Sequence, residues 1–152
     1  MSTPAAAAWR GILLRGLGAG VLGSILIDAF LYMVFLRPAH QPMTAMWQIV
    51  SATATGGTLI SPWFGLLIHF CVSIAWGVGY AYAAATSSAI ARHPYISGPV
   101  FGLIVMVIMQ VAELAAGVKL PLTVAAFAGA LIAHTLFFGL PVAVYITRAM
   151  RV

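Results

Sequence analysis

Long, unbroken apolar runs alternate with short polar punctuation along this chain, and the rhythm repeats four times. A helix needs about 20 consecutive apolar residues to cross hydrocarbon. The first run extends from Gly11 to Leu36 and is closed by Arg37-Pro38. The second, Ser61 to Ala85, opens with Pro62 at a first-turn position, where a missing N–H costs nothing. The third, Ile96 to Val118, follows His93-Pro94, and the fourth, Leu122 to Ile146, follows Pro121. The pattern predicts an all-α, polytopic membrane protein: a four-transmembrane-helix bundle forming one domain over residues 1–152. Arg10 and Arg15 mimic the charged start of a signal peptide, but the apolar run behind them is too long for one, so it reads as an uncleaved first span.

The link between the first two runs is longer than a turn. Pro42 can start a helix and Gly56-Gly57 can end it. Between them Met43, Met46, Trp47 and Val50 fall at i, i+3, i+4 and i+7, one helical face. This predicts a short amphipathic helix over 42–55 on the outer surface, with Trp47 at headgroup depth. A re-entrant segment is the alternative, and it would oblige Gln48, Ser51, Thr53 and Thr55 to find partners.

Every apolar run also carries small or polar residues four apart. These are Gly16, Gly20, Ser24 and Asp28 in the first, and Gly65, His69, Ser73 and Gly77 in the second. The third has Gly98, Gly102, Met106 and Gln110, with Glu113 one turn on, and the fourth has Ala126, Ala130, His134 and Phe138. Residues four apart share a helix face, and small residues let membrane helices approach closely. The stripes should therefore face one another. Packing explains the glycines and alanines but not Asp28, His69, Glu113 and His134. A charge near the bilayer centre costs about 2.5–3.5 kcal/mol on insertion scales, so these groups must be paired, neutral or in contact with water.

Three readings of this intramembrane cluster (Asp28, His69, Ser73, Gln110, Glu113, His134) stand side by side. It can be a structural hydrogen-bonded network that locks helix register. It can be a proton or ion pathway. It can be a metal site built from Asp28, His69, Glu113 and His134, or a haem site with His69 and His134 as axial ligands. No Glu-x-x-His or His-x-x-x-His spacing occurs, nor any nucleophile elbow, phosphate loop or CxxC.

Composition agrees with a membrane setting. Hydrophobic residues make up 63% and charged residues 6%, against roughly 25% charged in soluble domains. The net charge of +5 comes from basic residues placed singly at run ends, without a basic patch, which excludes nucleic acid as the partner. The lone Cys71 permits no intrachain disulfide and, in its apolar run, is expected buried and inert. Trp76, Tyr80 and Tyr145 read as packing or interfacial residues, and no role falls to His40 or His93. A faint parallel repeat is visible: His69 and His134 each follow three apolar residues, and each precedes a tyrosine, Tyr80 or Tyr145, by eleven positions.

Several stretches carry a resemblance. They are Gly65 to Phe70, His93-Pro94 followed by Gly98 and Gly102, Leu120-Pro121, and the run from His134 through Phe137-Phe138-Gly139-Leu140 to Pro141. With Asp28 after a Gly-rich first helix, the chain resembles a family of small four-helix bacterial inner-membrane proteins that has no assigned activity. The resemblance implies four spans and an inner-membrane location. The chain departs from that family in carrying Gln110 where an asparagine stands and in having an acid at Glu113, which leaves Asp28, His69 and His134 as the shared core.

These features lead to the expectation of a non-enzymatic accessory or assembly subunit in contact with the lipid bilayer, as a homo-oligomer or in a larger membrane complex. The alternative is a proton-coupled or ion-, metal- or haem-binding membrane protein using the same residues. Arg10, Arg15, Arg92, Arg148 and Arg151 flank one side of the spans, and Arg37 and Lys119 the other. The positive-inside rule then places both termini in the cytoplasm. A green fluorescent protein fused after Val152 should fluoresce in cells, whereas alkaline phosphatase fused there should be inactive; the reverse pair would invert the topology.

Overall fold

The computed structural model describes residues 4–119 and 123–150; Leu120, Pro121, Leu122 and Arg151, which enter the sequence reading, lie outside the described residues. The described residues are helical, without strands. Four helices are long and apolar enough to cross a membrane: Ala7–Leu36, Pro62–Thr86, Pro94–Ala115 and Val124–Ala149, here spans 1 to 4. They are compatible with a small, multi-pass integral membrane protein whose outer faces contact lipid.

Span 1 joins α1 (Pro4–Leu31) to a π-helical turn, Tyr32–Leu36. It begins earlier than Gly11 because the alanines of 5–8 are strong helix formers and an arginine does not interrupt a helix. Helix α2 (Thr44–Thr55) follows, and it ends where Gly56 adopts φ 59°, a left-handed conformation that glycine takes without steric cost. Span 2 is α3 (Pro62–Thr86), with the Ser61 hydroxyl accepting from the Phe64 N–H as N-cap. A single turn, α4 (Ser88–Arg92), leads into span 3, α5 (Pro94–Ala115). Span 3 stops short of Val118 because the chain turns at Gly117, φ 75°. Span 4 consists of α6 (Val124–Ile132), a π-helical segment Ala133–Gly139 and α7 (Leu140–Ala149).

The glycine stripes are the contact surfaces of the bundle. Gly16 and Gly20 of span 1 meet Ile74, Gly77 and Val78 of span 2, and a methyl on Gly20 would come within 2.5 Å of the Ile74 Cα. Gly98 and Gly102 of span 3 meet His134, Gly139 and Leu140 of span 4 in the same backbone-to-backbone manner. Spans 1 and 4 then pack together around Ala19, Phe138, Val142 and Ile146, all buried. Phe101 ties span 3 to span 2, with its ring 5.0 Å from Tyr80 and 6.0 Å from Trp76. Because the glycine seams are used up inside the chain, they are not free to join subunits.

Two expectations change. Cys71 is exposed on the outside of the bundle, since the face of span 2 set by Gly65, His69, Ser73 and Gly77 turns it away. The two halves do not use their matched tyrosines alike: Tyr80 is 2% exposed and bonded to Ser97, whereas Tyr145 is 40% exposed. The π segment, Ala133–Gly139, includes His134 and ends before Tyr145. Each extra residue in such a segment turns the downstream face by about 100°, and span 2 has no counterpart.

Gly20→Ala or Gly98→Ala should force the paired backbones apart and lower unfolding stability in detergent by about 1–3 kcal/mol. Gly79, with no atom within 4 Å of an added Cβ, is the control: Gly79→Ala should be neutral or stabilising by up to about 1 kcal/mol. Thermal or denaturant unfolding of the three variants measures the contrast.

Candidate functional site

Asp28 lies two turns before the end of span 1, on the inward stripe, and is 4% exposed. His69 reaches it from the second turn of span 2, its Nε2 2.9 Å from Asp28 Oδ1. The contact is short enough for direct electrostatic attraction, which has full ionic strength when the imidazole is protonated. It is nevertheless off the direction a hydrogen bond requires, and neither atom has an aligned partner among the described residues. The second carboxylate oxygen is better served: the Trp47 indole N–H donates to Oδ2 at 3.2 Å.

Trp47 therefore has a role that the headgroup-anchor reading missed. Its helix, α2, is clamped over the start of span 2, where the Trp47 carbonyl lies against Gly65 and a side chain at 65 would collide with it. Trp63 packs beside the indole at 6.4 Å. The fully buried Ser51 completes the clamp by donating to the Leu59 carbonyl at 2.8 Å and accepting from the Ser61 N–H at 3.1 Å. Thr53 and Thr55 bond to carbonyls of their own helix, so these two hydroxyls are satisfied locally. One signal in the sequence could have found Trp47. A buried carboxylate near the bundle end needs donors, and Trp47 is the only side-chain donor on the Met43, Met46, Trp47, Val50 face.

The other polar residues gather elsewhere. Gln110, Glu113 and His134 line a cavity of about 630 Å³ between the end of span 1, α2, the end of span 3 and the first half of span 4. Its wall is otherwise mostly apolar, with Phe35, Met46, Met109 and Phe127 among its members. His134 is the second residue of the π segment, and its Nδ1 lies 2.8 Å from the Ala130 carbonyl. Such segments recur at functional positions. This one precedes Pro141, which has no N–H to offer the Phe137 carbonyl. The other π turn, Tyr32–Leu36, likewise precedes Pro38. Ser73 is buried on the seam between spans 1 and 2, its carbonyl over Gly20.

The six residues thus form two groups. Asp28 and His69, capped by Trp47, form one. Gln110, Glu113 and His134 form the other. Among the described residues no three His, Cys, Asp or Glu side chains converge where they could hold a metal ion. The four-residue ligand set is therefore not assembled. The stripes do face inward as expected, but they deliver their acids to different sides of spans 1 and 4.

Removing one partner of a buried charge pair strands the other. Asp28→Leu or His69→Leu alone should therefore destabilise the protein by about 3–5 kcal/mol. The double variant Asp28→Leu/His69→Leu should recover most of that loss, because no buried charge then remains. Trp47→Phe should cost about 1.5–3 kcal/mol through loss of a hydrogen bond to a charged acceptor. A double-mutant cycle by unfolding in detergent checks the coupling; additive losses would show that the pair does not interact. Set against known proteins, the chain matches no family model, no curated protein and no solved structure.

Proposed function

We propose that this chain is a non-enzymatic accessory or assembly subunit of the bacterial inner membrane, with both termini in the cytoplasm and a rigid cap helix at the opposite face. The observation that carries this reading is the use of Asp28 and His69. Asp28 joins α2 to span 1 through Trp47, and His69 joins span 2 to span 1 through Asp28. A general acid–base pair must present a proton or lone pair to a substrate, whereas here the two carboxylate oxygens and the imidazole Nε2 face each other and an indole.

The proton-coupled alternative has less support. Between the Asp28–His69 pair and the end of the bundle that carries the termini, the interior is filled by Ala19, Phe138, Val142, Ala143 and Ile146. Among the buried hydroxyls there, Ser24 and Thr147 donate to carbonyls of their own helices, and Tyr80 pairs with Ser97 near the far end. A relay needs polar groups in hydrogen-bonding sequence, and this stretch favours packing instead.

A partner is supported by the rim around the cap. Ile49, Leu59, Ile60 and Trp63 are 44–70% exposed at the same end of the bundle. Such a rim suits burial against another membrane chain, whether a second copy or a different subunit. Purification in mild detergent, with native mass determination, should recover the chain in a complex larger than one copy. Trp63→Glu should shift it toward the single chain, and a wild-type protein that runs only as a lone monomer would refute the assembly role.

A further inference from the structure

We infer that the cavity between spans 1, 3 and 4 and α2 is a binding site for a lipophilic organic cation, an ammonium group on an apolar body. Volume and wall set the general class. About 630 Å³ with a mostly apolar wall and a few convergent polar groups is what a small, largely hydrophobic ligand requires. Polar atoms at the wall set the sign of its charge.

Glu113 has neither a cation nor a hydrogen-bond partner among the described residues. His134 is also an acceptor. The Ala130 carbonyl can only accept, so Nδ1 must carry the proton in that contact, and the neutral ring then leaves Nε2 as a bare lone pair. The Thr123 hydroxyl accepts from the Ala126 N–H at 3.1 Å as an N-cap and keeps a proton to donate, and the Gln110 amide can donate as well as accept, so Glu113 is the one wall group that carries a formal negative charge. A carboxylate and an imidazole lone pair offered to one space call for a group that donates protons and bears positive charge.

The apolar wall also suits a cation. Phe35 and Phe127 offer ring faces, which attract ammonium groups, and Met46 and Met109 supply polarisable, adaptable contacts. Val124 and Phe127 are 87% and 57% exposed, so the cavity mouth is flanked by surface that faces the lipid side of span 4. A membrane-dissolved ligand can enter there without first crossing water. An anionic ligand would meet Glu113 unfavourably, and a neutral one would leave the carboxylate unpaired.

The test uses the full chain in nanodiscs of zwitterionic lipid, with empty discs subtracted, and three probes of matched body: 4-phenylbutylammonium, 4-phenylbutanol and 4-phenylbutyrate. Calorimetric titration should show the ammonium binding at least tenfold more tightly than the alcohol, with the carboxylate weakest. Glu113→Gln should erase the ammonium's advantage while leaving the alcohol's affinity within about twofold, and Glu113→Asp should retain part of it. Ala126→Phe, which fills the cavity and keeps the acid, should abolish binding of all three. It serves as the deciding variant if Glu113→Gln does not fold. Equal affinity for ammonium and alcohol, a preference that survives Glu113→Gln, or ammonium binding that survives Ala126→Phe would each overturn the inference, as would the absence of binding by the wild-type chain.

Discussion

A carboxylate inside an apolar bundle cannot be left alone, and the architecture at one end of this protein follows from that constraint. Asp28 sits on the tight face of span 1, where hydrocarbon and neighbouring backbones exclude water. His69 answers one oxygen and Trp47 the other. The first partner fixes the register of span 2 against span 1. The second pulls a helix from the connecting segment down onto the bundle. One charged group thereby organises three elements, and the Ser51 bonds to Leu59 and Ser61 hold the returning strand of chain in place behind the indole.

Away from that end, close approach replaces electrostatics. Lipid tails are as apolar as leucine, so helices in a membrane gain little by hiding hydrophobic area from one another. Here two helix pairs, spans 1 with 2 and 3 with 4, bring glycine against backbone, which shortens the distance over which dispersion acts. The pairs then meet through larger side chains, chiefly Phe101, Phe138, Val142 and Ile146. The result resembles two hairpins joined at an aromatic and aliphatic seam. The π segment of span 4 spoils a strict repeat between them by rotating everything after Gly139.

The division of the polar residues into two groups separates two kinds of work. Asp28 and His69 are enclosed and mutually engaged, which suits a fastening. Glu113, Gln110 and His134 face open space, which suits recognition. Treated as a single cluster the six residues suggest a ligand set for a metal. Treated as two groups they suggest a scaffold with a pocket on its flank.

The chain's own pattern was enough to determine its class. Four apolar runs, their proline and arginine boundaries, and the four-residue stripes specify four helices and their inward faces, because hydrocarbon penalises every unsatisfied backbone group and every solitary charge. The cap helix was legible too, from Met43, Met46, Trp47 and Val50 at one helical spacing and from glycines where the backbone must reverse. Periodicity along one helix carries no information about which neighbour a stripe meets, so only the tertiary structure decided the pairing of Asp28 with His69 rather than with His134. It also decided that Trp47 turns inward to a carboxylate, that Cys71 faces outward, and that Glu113 opens into a cavity. The π segment before Pro141 belongs to the same category. One missing N–H marks where a helix must adjust, but the surrounding packing selects a widened turn over a kink, and that choice sets where Tyr145 and every later side chain points.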